Sequence, residues 1–243
     1  MMRRRRGTRN AWLLVVAILV ALVGLALGLG GYCALGYYRE RRTAEIFQKA
    51  GAGVGWIHPG QTLTFARHWD GAISKRVMSI TLSAEQLRTL GPLLSRFNQL
   101  RCLTVSGGRL DAKSIQTVAR LSTVRHLCLQ NCSGHEVPIT EISRLHNLET
   151  LTIDVHAISI VGLASVVGLK NLQRLEVYGE GVDDSMVPEL ERFRGLELDI
   201  RDTRISKDGF RRLCDQLPEW TAIYYYGPRF GPGGPDLDGE LMQ

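Results

Sequence analysis

An apolar register recurs along the middle of the chain at a nearly constant interval, and a fixed period of this kind calls for a stack of like units. The first position of the pattern falls at Val77, Leu100, Val124, Leu148, Leu172, Gly195 and Trp220, at intervals of 23, 24, 24, 24, 23 and 25 residues. Behind each of these stand Ile80/Leu82, Leu103/Val105, Leu127/Leu129, Leu151/Ile153, Leu175/Val177, Leu198/Ile200 and Ile223/Tyr225. Two apolar residues separated by one other are the alternation of a short strand with one buried face. Further on, Ile115/Val118/Leu121, Ile139/Ile142/Leu145, Leu163/Val166/Leu169 and Val187/Leu190/Phe193 recur at three-residue steps, which is one face of a helix. Each unit is therefore expected to be a strand, a turn and a helix. One unit cannot bury its apolar face alone, so neighbours must share a core. Burial is worth roughly 1.5–3 kcal/mol for each large apolar side chain, before chain entropy is subtracted.

Residues 196–213, LELDIRDTRISKDGFRRL, resemble the bacterial leucine-rich-repeat variant in which Thr replaces the usual Asn and a T-x-I-S/T-x-x-G turn leads into the helix. Cys132, in LCLQNC, is similar to the cysteine-containing subtype. The resemblance covers residues 77–226. Residues 44–82 also look like the leader of short bacterial membrane-anchored members: a small helix (AEIFQKAGA), a Trp-containing stretch, then VMSITLS opening the first repeat. The resemblance implies an α/β leucine-rich-repeat solenoid, with short parallel strands on its concave face and helices on its convex face, and a role in binding proteins. The chain departs from the pattern at the Asn/Cys/Thr position, which is Glu85, Gly108, His156 and Glu180 in four units. A regular side-chain ladder along that turn is therefore not expected.

From Ala11 to Leu35 no charged residue occurs. About 20 apolar residues at 1.5 Å rise cross a hydrocarbon core near 30 Å thick, so residues 11–35 are expected to form one transmembrane helix. Trp12 at one end, with Tyr32, Tyr37 and Tyr38 at the other, fits interfacial anchoring. A signal peptide is the competing reading, but its apolar region is typically only about 7–15 residues long. The one passable cleavage site, Ala26-Leu27-Gly28, lies inside the run, and Tyr32 is too bulky for a lipoprotein signal before Cys33. Arg3–Arg6 precede the run, while Arg39, Arg41, Arg42 and Lys49 follow it, so the charge rule for orientation barely discriminates. The expectation is a single-pass protein of the inner (cytoplasmic) membrane with the repeat domain outward.

The net charge of +6 is concentrated around the apolar run, and both signs are interspersed through the repeats. No basic stripe marks the folded part, which argues against nucleic-acid binding. The histidines, among them His58, His68, His135, His146 and His156, are scattered with no metal-ligand spacing, and no metal or cofactor is expected. Gly51-Ala52-Gly53-Val54-Gly55 lacks the Lys and preceding strand of a phosphate-binding loop and reads as a helix terminator and turn. Cys102 and Cys128 fall on adjacent strands but two residues out of step. Their Cα atoms would stand roughly 8 Å apart, beyond disulfide reach. Cys132 is placed in a turn and Cys214 on the helix of another unit, so no disulfide is expected.

Residues between the buried apolar positions face outward on the strands. Toward the C-terminal end that face turns charged and aromatic. Asp154, Arg174, Glu176, Tyr178, Asp199, Arg201 and Tyr224 are the candidate partner-binding residues, because Tyr and Arg dominate interface hot spots. A solvated face whose charges pair across strands is the competing description. His126 and Cys128 share a strand face, with Asp154 one strand further on as an orienting carboxylate, but catalysis also needs an oxyanion hole and a cleft, and no enzyme is expected. The organisation read from the sequence is a basic flank (1–10), a transmembrane helix (11–35), a juxtamembrane and capping region (36–76), the repeats with a terminal cap that includes Trp220, Ile223 and Tyr225 (77–226), and a disordered tail (227–243). The expected function is a non-catalytic module binding a protein or peptide through the concave face. The alternatives are a structural envelope component assembling through its transmembrane helix, with Gly24 and Gly28 allowing close approach, or an inhibitor or accessory subunit of an enzyme.

Overall fold

The computed structural model describes residues 18, 20, 24, 28, 35–57, 76–133, 139–154, 160–179, 181–217 and 223–226. Eight strands form one sheet in sequence order: β1 (Gly53–Ile57), β2 (Arg76–Leu82), β3 (Cys102–Arg109), β4 (His126–Ser133), β5 (Thr150–Asp154), β6 (Arg174–Tyr178), β7 (Glu197–Arg201) and β8 (Ile223–Tyr226). Strands β2 to β8 are parallel, and the register is the one the repeat spacing predicts. Ile80, Leu103, Leu127, Leu151, Leu175, Leu198 and Ile223 pair in turn across the sheet. All but Ile223 are buried, together with the residues two further along from Leu82 to Ile200. Alternate residues of each strand thus point into a single core shared by the whole stack.

One face of the sheet carries the helices. These are α2 (Ala84–Leu94), α3 (Ala112–Ala119), the 3-10 helices Ile139–Arg144 and Ile160–Gly168, the 3-10 turn Asp184–Met186 leading into α4 (Val187–Leu190), and α5 (Lys207–Gln216). A helix in every unit is what the sequence suggests, and in two central units it is a 3-10 helix. Three-residue apolar steps such as Ile139/Ile142/Leu145 and Leu163/Val166/Leu169 suit a helix of three residues per turn, but the same step at Ile115/Val118/Leu121 accompanies the α-helix α3, so the step alone does not set the helix type.

Local chemistry sets where the helices begin. Ser83 and Gln86 form a reciprocal capping box on α2. Asp111 accepts from the Ser114 amide at 2.7 Å to start α3, and the Ser206 hydroxyl accepts from the Gly209 amide at 3.0 Å to start α5. Neighbouring units are also tied together: Asp184 accepts from the Ser206 amide at 2.8 Å and its hydroxyl at 2.7 Å. At the turn position where the family carries Asn, Cys132 and Thr203 are buried; Cys132 donates back one unit to the Val105 carbonyl at 3.5 Å, and Thr203 donates to the Ile200 carbonyl at 3.4 Å. A different ladder runs elsewhere. The Asn147 amide donates to the Ser122 carbonyl at 2.8 Å, and the Asn171 amide to the His146 carbonyl at 2.7 Å, each reaching back one unit.

At the N-terminal end, residues 35–49 form α1, and residues 18, 20, 24 and 28 are helical as well. The Ala44 and Phe47 side chains of α1 join the core of the stack, with the Phe47 and Phe97 rings edge to face at 5.5 Å. Glu40 is buried on the same side. Its carboxylate accepts from the Val77 amide and from the Arg76 guanidinium, both at 2.8 Å. Gly51, at φ +82°, ends α1 as expected. The rest of the expected turn is corrected: Gly53–Ile57 is strand β1, antiparallel to β2 with a bulge at Gly55/Trp56. Glycine there allows close strand approach, since a Cβ at Gly55 would stand 1.9 Å from the Ser79 hydroxyl oxygen.

Among the described residues no helix is long and apolar enough to cross a membrane. Apart from residues 18, 20, 24, 28 and 35, the apolar run 11–35 lies outside them, as do the basic flank, Trp220 of the expected terminal cap and the tail 227–243.

Candidate functional site

The sheet face without helices carries the residues between the buried apolar positions, and strand register sets them in rows. Arg174 pairs with Glu197, and Glu176 with Asp199. Thr152 pairs with Glu176, Asp154 with Tyr178, and Asp199 with Tyr224. Neighbouring parallel strands lie about 4.8 Å apart, so long side chains in adjacent rows meet.

They meet in a closed ring. Arg201 grips Asp199 with both ends of its fork, Nε to Oδ1 at 2.7 Å and Nη2 to Oδ2 at 2.6 Å. The same guanidinium donates to the Tyr178 hydroxyl at 2.9 Å and lies 5.3 Å from the centre of that ring. The Tyr178 hydroxyl donates in turn to Glu176 Oε2 at 2.8 Å, an oxygen that also accepts from Thr152 at 2.8 Å. Arg174 closes the circuit. Its Nε stands 2.6 Å from Glu176 Oε1 as an ion pair without the alignment of a hydrogen bond, Nη2 donates to Asp199 at 3.3 Å, and Nη1 reaches Glu197 at 3.1 Å.

The electrostatics follow from this geometry. The bidentate bond to Asp199 raises the Arg201 guanidinium above its ordinary pKa and outweighs the opposing effect of burial. Burial also works against the charge on Arg174, but Glu176, Glu197 and Asp199 together reverse the sign. For Tyr178, burial raises the phenol pKa first and the bond to Glu176 raises it further. Asp199 is 2% exposed beneath two arginines that are 36% and 38% exposed, so solvent meets guanidinium edges and an aromatic ring over buried carboxylate.

Five of the seven sequence-predicted residues, Arg174, Glu176, Tyr178, Asp199 and Arg201, are therefore brought together. Asp154 stands beside them but turns to another task, accepting from the amide of Asn131, whose backbone is left-handed at φ 49°. Tyr224 is placed by its backbone next to Asp199, and its side chain lies outside the described residues. Thr152 and Glu197 attach to the ring from outside, at Glu176 and Arg174, and were not singled out from the sequence. The usable signal was their register, because each falls in the same row as a predicted residue.

His126 and Cys128 stand two residues apart on β4, and Asp154 ends the neighbouring strand β5. Burial pushes the Cys128 thiol up to about 11, far from a thiolate at neutral pH. Asp154 is engaged by Asn131. Cys102 pairs across the sheet with His126, and Cys128 with Thr104, which is the offset expected from the spacing. Among the described residues no three His, Cys, Asp or Glu side chains converge as metal ligands, and His58, His68, His135 and His156 lie outside them.

Residues 76–215, more than half of the chain, match the leucine-rich repeat region family, and the chain belongs to that family. A comparison with curated proteins finds no match. The family fold is generally a protein-interaction module without catalysis, which agrees with an open, polar, internally paired face.

Proposed function

We propose that this protein is a membrane-held interaction module that binds a protein or peptide through the open sheet face around Tyr178 and Arg201. The closed ring carries this reading. Its side chains are ordered before any partner arrives, so binding does not have to freeze long flexible groups at roughly 0.5–1.5 kcal/mol each. A Tyr and an Arg presented together at the centre of a rigid patch are hot-spot chemistry.

The uncharged run 11–35 supplies the anchor, as a single span of the cytoplasmic membrane with the repeat domain outward. The test is capture of partner from gently solubilised membranes by the full chain. Tyr178→Ala with Arg201→Ala abolishes capture on this account. Exchange of residues 11–35 for an unrelated span leaves it intact. The reverse pattern would favour assembly through the transmembrane helix.

A further inference from the structure

The exposed large apolar side chains among the described residues are Ile18, Val20, Leu35, Tyr38, Ile46 and Val167. Only Val167 belongs to the repeats. The rest fall on the N-terminal helical residues, and three of them lie on α1, the helix that caps the stack. At about 100° per residue, Leu35, Tyr38, Arg39, Arg42, Ile46 and Lys49 fall within one arc of roughly 100° on α1. All six are exposed, and the arc contains no carboxylate. The opposite side is the one that buries Tyr37, Glu40, Thr43, Ala44 and Phe47 against the stack. Arg41, paired with Glu45 at 3.7 Å, lies outside the arc.

A capping helix needs one apolar face. This one has a second, built from an aromatic ring, two aliphatic side chains and three cations. That mixture suits the boundary of a bilayer, where apolar groups enter the acyl region and Lys or Arg meets lipid phosphate. The chain positions it there as well, because the apolar run 11–35 ends at Leu35, the first residue of the arc, and the first charge after it is Arg39. We infer that this outer stripe of α1 docks on the headgroup layer of a bilayer containing anionic phospholipid, with Arg39 and Arg42 on the phosphates. The inference rests on the proposed membrane anchor. Docking there holds the capped end of the stack against the membrane while α1 fills the end of its core.

The test uses the full chain reconstituted in nanodiscs of equal parts phosphatidylglycerol and phosphatidylcholine, with p-benzoylphenylalanine incorporated at Tyr38 or, separately, at Ile18. Irradiation and mass spectrometry then identify the adducts. Docking predicts that the Tyr38 probe takes phosphatidylglycerol over phosphatidylcholine by about fivefold or more, the factor expected from one cation near an anionic surface. Arg39→Gln with Arg42→Gln brings that ratio to about one. Both arginines are exposed, so an unchanged circular dichroism spectrum and melting temperature confirm that the fold survives. Equal use of the two lipids by the unaltered chain would overturn headgroup recognition. Protein adducts at Tyr38 with lipid adducts at Ile18 would overturn the docking while leaving the span in place. Lipid adducts at neither position would remove the membrane anchor itself, and the inference with it.

Discussion

Asp199 is 2% exposed, yet guanidinium groups from two neighbouring strands meet its oxygens. An ionised carboxylate in such a place is tolerated only while those partners remain. Arg201→Ala leaves Arg174 as its guanidinium partner, at 3.3 Å. The expected loss of stability is about 1–3 kcal/mol, kept low because Arg201 is itself more than a third exposed. It would be read as a lower urea midpoint. Arg201→Lys is expected to recover only part of this, since an ammonium cannot make the two-pronged contact. Two other carboxylates link stability to pH. Asp111 and Asp183 accept from helix-start amides, and the hydrogen bonds to Ser114 and Ser185 hold their pKa values below the usual 3.8. A depressed folded-state value means that the contribution is complete above about pH 3.8 and is lost as pH falls through the lower, folded-state value. Asp111→Asn should flatten that part of the acid unfolding curve, while Asp111→Ala should cost about 1 kcal/mol at neutral pH. Tyr178 acts at the other end of the scale. Its raised pKa makes its contribution complete below about pH 10 and lost at higher pH, which an absorbance titration of Tyr178→Phe against the unaltered chain would detect.

Individual elements differ in how far the sequence discloses them. The strands could be read because an apolar residue at every second position, repeated at 23 to 25 residues, leaves only one register that buries all of them. Knowing the register, the rows of the open face follow, and with them five residues of the ring. What that reasoning could not supply is how the side chains pair, so interface chemistry and cross-strand pairing both stood open. In the structure the ring residues are paired with one another, and it is as a paired unit that they are proposed to bind. Strand β1 was hidden because its glycines imitate a turn; the facing Thr81 and Ser79 reveal why Gly53 and Gly55 are needed. The bonds of Glu40 to β2 had no pattern to announce them. The Asn147/Asn171 ladder did leave a trace, an Asn before the first Leu of two successive units, at Leu148 and Leu172. Gly209 tests the junctions between elements. A Cβ there would stand 2.1 Å from Asp184 Oδ1, the oxygen that accepts the Ser206 amide. Gly209→Ala should therefore break the tie between two units and cost about 1–3 kcal/mol, seen in thermal melts and as faster amide exchange at the start of α5.

At the scale of the whole molecule, a stack in which each unit touches only its neighbours gains stability unit by unit and needs both ends closed. The N-terminal end is closed by α1, the turn after it and β1, which extend the core through Ala44, Phe47 and Ala52. Substitution in the middle should then uncouple the two halves. Leu151→Ala, fully buried on β5, is expected to cost about 2–5 kcal/mol and to broaden the unfolding transition rather than only shift it. The same one-dimensional build leaves two long faces to solvent, one of strands and one of helices, and the account assigns the partner to the first. The measurement that tests this most directly is photocrosslinking in intact cells, with p-benzoylphenylalanine incorporated at Glu197 beside the ring or at Val167 on the helical side. The account predicts a discrete crosslinked product from Glu197 that disappears with Arg201→Ala, and none from Val167. A product from Val167 alone, or one from Glu197 that survives Arg201→Ala unchanged, would contradict it.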